Sequence, residues 1–247
     1  MDGTKNTVAL ILNRQLYREH DSLVTAYTPD YGKLSLVARG AQKLGSKLAG
    51  HIEPLTMADI MIIPGKGFDY VGSAVSRNVY TSIRQDLNKL YYAGQALQIL
   101  HQRVKENQAD APLFFLISEW LDILDARTCC RADQGELLLS FFIWRLMAEL
   151  GYQPELYRCL DCHRPISPGQ NYFHLLKGGL ICLNCFEAEK GAPDFNGNYL
   201  LTISDNCVKI LRFIMEKNFL QLEKLRIETK LAKESLKLAK SFQSFHI

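Results

Sequence analysis

Cys159-Leu-Asp-Cys162 and, after nineteen intervening residues, Cys182-Leu-Asn-Cys185 are the residues of this 247-residue chain best suited to chemistry. Two cysteines with two residues between them sit about one turn apart and can reach a single ion together. Two such pairs supply four soft ligands, the tetrahedral set zinc prefers, at about 2.3 Å each. The interval between the pairs falls in the range of zinc ribbons and fingers. Because all four ligands are cysteine, no coordination position is left for a substrate, and the spacing predicts one structural Zn2+ and no catalytic metal. Gly178 and Gly179, just before the second pair, are expected to relieve backbone crowding there. The competing reading is a set of buried thiols, or a redox pair that never meets metal. His163 and His174 lie nearby and are read as spectators beside a complete ligand set.

Little else in the chain asks for catalysis. Phosphate-loop, H-E-x-x-H and G-x-S-x-G patterns are absent, as is a tight carboxylate cluster of the kind that holds magnesium. His20, His51, His101 and His246 are scattered and read as surface or satisfied residues. No catalytic residue is assigned, and the chain is read as a non-enzyme. Cys129, Cys130 and Cys207 lie among helical residues and are expected to be small apolar core positions. Lys66-Gly-Phe-Asp-Tyr-Val71 loosely echoes an RNA-recognition motif, but that motif needs a helix between its strands and none is expected here.

The second constellation is electrostatic. From Lys33 to Ile52 the chain carries Lys33, Arg39, Lys43 and Lys47, together with His51, and no Asp or Glu. Residues 40–50 read as a mobile, positive loop, suited to phosphate contacts that neutralise charge without reading sequence. Tyr27, Tyr31, Phe68 and Tyr70 are expected near this segment and could stack on bases, as in single-strand-binding barrels. The bland alternative is a solvated loop with its aromatics in the core. A second basic stretch holds Lys217, Lys224, Arg226, Lys230, Lys233, Lys237 and Lys240 against Glu223, Glu228 and Glu234. It fits a solvated helix face as well as a second patch for DNA or for an acidic protein tail.

The elements that must position these residues change character along the chain. Val8–Leu12, Ser22–Thr28, Lys33–Arg39, Leu55–Ile63 and Asp69–Val75 read as five strands, with turn signals at Pro29–Gly32 and Pro64–Gly67. In the third, Leu34, Leu36 and Ala38 share one face. Five strands in about eighty residues point to an OB-type barrel. From Ser82 the apolar spacing becomes three and four, as in an amphipathic helix running to Val104. Further helices are expected at Ala111–Leu124, Gln134–Leu150, Ser204–Lys217 and Leu220–Phe242, with a Cys/Gly/Pro-rich insertion at Tyr152–Pro193. The expectation is an α+β, multi-domain chain. Residues 1–80 form an OB-fold nucleic-acid-binding domain, and 81–247 form a helical domain with a zinc ribbon at about 152–193.

Composition bounds the function only loosely. The net charge is +3, and 22% of residues are charged, so the whole-molecule field argues neither for nor against nucleic acid. Residues 1–80 carry nine basic and seven acidic residues, 81–158 eight and ten, and 159–247 twelve and nine. Both ends are therefore basic around an acidic middle. No stretch approaches the roughly 20 apolar residues of a membrane span. The first apolar run is too short for a signal peptide, so a cytoplasmic protein with reduced thiols is expected.

Taken together, the order barrel, helices and inserted ribbon resembles the bacterial RecO family. The residues that carry the resemblance are Val8-Ala-Leu-Ile-Leu with Arg14 and Tyr17, the block Tyr31–Gly40, and Gly178-Gly-Leu-Ile-Cys182. The charged Arg18-Glu-His-Asp stretch departs from that pattern. The resemblance implies a recombination mediator that binds single- and double-stranded DNA and anneals complementary strands without ATP. It also implies work with RecR and the single-stranded-DNA-binding protein to load RecA, close to the nucleoid during repair. On this reading Lys33, Arg39, Lys43 and Lys47 are the DNA surface, and the helical region receives the acidic, hydrophobic tail of the single-strand-binding protein. Two rivals remain: an adaptor whose surfaces all bind proteins, and a nucleic-acid enzyme with the ribbon as scaffold.

Overall fold

Alternation of inward and outward side chains builds the first element group. In the computed structural model, which describes residues 3–127, 132–190, 197–217, 219–222, 225 and 227–246, five strands close a barrel in the order β1-β2-β3-β5-β4. They are β1 (Lys5–Leu16), β2 (Ser22–Thr28), β3 (Gly32–Ala38), β4 (Met57–Ile63) and β5 (Asp69–Asn78). All pairings are antiparallel except β3 with β5, a short parallel contact at Leu36–Asp69 and Val37–Tyr70. This is the OB arrangement expected from strand number and spacing. Leu34, Leu36 and Ala38 do share the inward face, packed with Ala9, Ile11, Val24, Ala26, Ile60 and Val71. β1 extends well beyond the Val8–Leu12 run because its flanks are polar and paired at the edges of the barrel, where an apolar pattern cannot mark them.

Residues 3–127 lie in one compact unit and those from 132 onward in a second, the division falling at Cys129/Cys130. In the first unit the barrel is joined by α1 (Thr81–Gln85), α2 (Leu87–Arg103) and α3 (Ala111–Ala126). The continuous helical stripe expected from Ser82 is interrupted at Asp86, whose carboxylate caps the amides of Asn88 and Lys89 and starts α2 afresh. Asp110 caps α3 in the same way through Leu113 N–H, with Pro112 in the first turn. α3 is held to β2 by Tyr27, whose hydroxyl donates to the Asp110 carbonyl and whose ring lies 5.9 Å from that of Phe114.

The second unit is organised around α4 (Ala132–Glu149), with α6 (Asp205–Glu216), α7 (Phe219–Leu222) and α8 (Thr229–His246). The helical stretch expected at Leu220–Phe242 is thus described as two helices, α7 and α8. A buried Ser140–Ser235 hydrogen bond of 2.6 Å joins α4 to α8. The insertion contributes β6 (Asn171–His174), β7 (Gly179–Cys182) and α5 (Leu183–Lys190), and β8 (Leu200–Ile203) completes a sheet of order β7-β6-β8. Trp144 of α4 stacks on Phe242 of α8 at 5.1 Å and meets Phe173 of β6 edge-on at 5.7 Å. All three are fully buried, so the ribbon's sheet is anchored in the helical core. Cys207 is buried on α6, as expected; Cys129 and Cys130 lie outside the described residues. Among the described residues no helix is long and apolar enough to cross a membrane.

Candidate metal centre and nucleic-acid interface

The two cysteine pairs, twenty residues apart in sequence, are brought together by the β6–β7 hairpin. Cys159 and Cys162 lie on a knuckle whose Leu160 amide donates to the Leu180 carbonyl of β7, while Cys182 ends β7 and Cys185 lies in the first turn of α5. The hairpin needs glycine at its return. An added Cβ at Gly179 would stand 2.8 Å from the Glu155 carbonyl oxygen and 2.9 Å from Leu160, so the knuckle can lie against β7 only where there is no side chain.

All four sulfurs lie within 4.8 Å of one another, and those of Cys162 and Cys182 are 3.9 Å apart. Four sulfurs at about 2.3 Å from a tetrahedral ion stand about 3.8 Å from each other, so the cluster is close enough to hold a metal ion. The electrostatics agree with that use. Burial opposes ionisation of Cys159, but amides of Cys162, Cys182 and Asp161 donate toward its sulfur and bring its pKa down to about 7. Burial and the neighbouring sulfurs push the Cys185 thiol up instead. Four crowded sulfurs cannot all become thiolates without a cation among them, and a divalent ion supplies that charge.

Around the cluster, Lys177 bridges Asp161 of the first knuckle and Glu189 of α5, each at 3.1 Å. His163 is exposed, and His174 is buried with Nδ1 accepting the Lys177 amide. Neither contributes to the sulfur cluster.

The basic residues of the barrel do not form one uniform surface. Lys33 on β3 is half-buried, and its ammonium donates to the His101 carbonyl at the end of α2. Arg39, just past β3, is exposed and lies over the ring of Tyr70 at 4.2 Å. Lys43 and Lys47 are exposed and pair with no carboxylate among the described residues. Beside β5, Phe68 meets Tyr17 edge-on at 5.7 Å, and Arg18 covers Tyr17 at 5.1 Å. The β1–β2 and β4–β5 loops therefore meet in a small platform of aromatic rings and guanidinium groups. Such faces accept bases and phosphates together. Tyr27, by contrast, is wholly buried against α3 and takes no part in a surface.

Sequence reasoning missed what holds the basic loop. Residues 40–50 run as successive turns, with Lys43 N–H donating to Gly40 and Ser46 N–H to Lys43. Arg14 of β1 donates to the carbonyls of Ala41 and Ala49, to Ser22 Oγ and to Glu53. Asp21 accepts the Gly40 amide at 2.8 Å, and the His20 carbonyl accepts that of Gln42. The charged Arg18–Asp21 stretch thus fastens the start of the basic loop. Arg14→Ala is expected to cost roughly 1.5–3 kcal/mol, read as a lower denaturation midpoint together with faster proteolytic cleavage between Gly40 and Gly50.

Comparison with known proteins agrees with this architecture. Residues 1–80 match the family model for the recombination protein O N terminal, and residues 84–247 that for the recombination protein O C terminal. A DNA repair protein RecO of Dehalococcoides mccartyi is 32% identical over 228 residues, covering 92% of this chain and 85% of the relative. The RecO of Roseiflexus is 29% identical over 241 residues, covering 98% and 80%. That of Alkaliphilus metalliredigens is 25% identical over 241 residues, covering 98% and 93%. An OB-type barrel, a helical second unit and a four-cysteine ribbon, matched along the whole chain, place this protein in the RecO family of DNA repair proteins.

Proposed function

We propose that this protein is a recombination mediator, without catalytic residues of its own, that binds single- and double-stranded DNA and anneals complementary strands without ATP. Further, it acts with RecR and the single-stranded-DNA-binding protein to load RecA on coated DNA in the bacterial cytoplasm. The observation that carries the reading is the acid-free basic loop beside the Arg39–Tyr70 and Arg18–Tyr17–Phe68 platform of an OB barrel. Arg39, Lys43 and Lys47 contact phosphates. Lys33, held by the end of α2, adds to the field of that face more than to direct contact.

Annealing needs no more than this. Two strands repel, cationic surfaces bring them together, and base pairing supplies the driving force. On this reading residues 1–80 are the nucleic-acid-binding domain, and 81–247 the helical domain that receives the acidic tail of the single-strand-binding protein. The ribbon at about 152–193 holds one structural Zn2+ through Cys159, Cys162, Cys182 and Cys185. The ion contributes folding energy and fixes the knuckles against β7.

The test is RecA filament formation on DNA coated with single-strand-binding protein, in the presence of RecR. Adding this protein should shorten the lag. An unchanged lag, with the protein folded and bound to the coated DNA, would remove the loading role and favour an adaptor.

A further inference from the structure

At the apex of the basic loop stands a side chain for which phosphate binding has no use. Leu44 is fully exposed, between Lys43 and Lys47. It occupies the first corner of the turn Lys43–Ser46, closed by the Ser46 amide on the Lys43 carbonyl at 3.0 Å. Gly45 takes the second corner with φ +84°, the geometry of a type II turn. That turn holds the leucine outward, and the base of the loop is fastened by Arg14 and Asp21.

A single exposed leucine elsewhere on a surface would need no explanation. Here the apolar group is carried on a tethered tip, flanked by cations, in a segment without a carboxylate from Lys33 to Ile52. The rings beside the barrel carry cations or one another and form its stacking platform. Tyr31 carries Lys5 at 5.1 Å, Tyr70 carries Arg39, and Tyr17 carries Arg18 and Phe68. Leu44 is the most exposed large apolar side chain among the described residues. An apolar side chain between phosphate-binding cations is the composition with which proteins enter a base step and part it.

We propose that Leu44 is a wedge that inserts between neighbouring bases of a bound strand while Lys43 and Lys47 hold the flanking phosphates. The inference rests on the DNA-binding reading above and adds an activity to it. A strand unstacked at one step is bent and presents base edges to an incoming complement.

The test uses the full-length protein and oligonucleotides carrying one 2-aminopurine at successive positions, single-stranded and in duplex. Binding is followed by anisotropy and unstacking by 2-aminopurine emission. The wild type should brighten the probe at saturation. Leu44→Ser should lose that rise while keeping its affinity at low salt, and Leu44→Phe should restore it. Leu44 is fully exposed, so neither substitution opens a cavity or forces a side chain into the core. A rise retained in Leu44→Ser would overturn the wedge, as would saturated wild-type binding with no rise at any position. Absence of wild-type binding by anisotropy would instead overturn the DNA-binding reading, and the wedge with it.

Discussion

Cys159→Ser is expected to strip the chain of its metal and loosen the ribbon from Tyr157 to Lys190. Zinc in small four-ligand sites contributes about 10–16 kcal/mol of apparent binding free energy at neutral pH, and in such sites binding energy is folding energy. Loss of a residue that only hydrogen-bonds to a ligand weakens metal binding about 10–100-fold, so loss of a direct ligand should weaken it further. Metal analysis of the purified wild type should find one zinc per chain, and the variant close to none. Cys207→Ser is the control, because that thiol is buried on α6, apart from the sulfur cluster; its metal content should not change. The helical core should outlast the ribbon, since Trp144 of α4 and Phe242 of α8 stack on each other without involving the sulfurs. Acidification should release the metal as protons compete for sulfur. Full folding with no metal bound would end the claim.

The second large effect concerns DNA. Each phosphate contact to a single strand contributes a slope of about −0.7 to the dependence of log affinity on log salt. Arg39→Glu with Lys43→Glu removes two cations, so the slope should flatten by about 1.4 units. At 0.1 M salt that corresponds to a loss of at least about 25-fold, and reversal of charge should add to it. The loss should be the same for unrelated sequences, because phosphate contacts do not read bases. Lys33→Glu should lower affinity less through contact but destabilise the fold, since its ammonium holds the end of α2. Equal affinity of the Arg39/Lys43 variant and the wild type at low salt would move the DNA surface away from this loop.

These two sites were not equally legible in the sequence. The ribbon was readable because its ligands are rare residues at short, fixed spacing, and the barrel because five short runs of strand-forming residues follow one another closely, with turn residues between them. The sheet inside the ribbon was not. β6 and β7, within the Cys/Gly/Pro-rich insertion, and β8 beyond it have four residues each, too few for a period to show. The break between α1 and α2 escaped because Asp86 leaves the apolar stripe intact while capping a new helix. The state of the basic residues depends on partners that are distant in sequence. Lys33 is engaged by a carbonyl 68 residues away, and the loop is fastened by Arg14 across 27 and 35 residues. Charge patterning alone gave four equivalent cations; the fold makes one structural and leaves three exposed.

The central claim is that a non-catalytic, cationic barrel brings complementary strands together. Its most direct measurement is annealing of two complementary fluorescent oligonucleotides without ATP, first naked and then coated with single-strand-binding protein. The account predicts acceleration in both cases, lost in the Arg39→Glu, Lys43→Glu variant and diminished by salt. No acceleration by folded, zinc-loaded protein would contradict it.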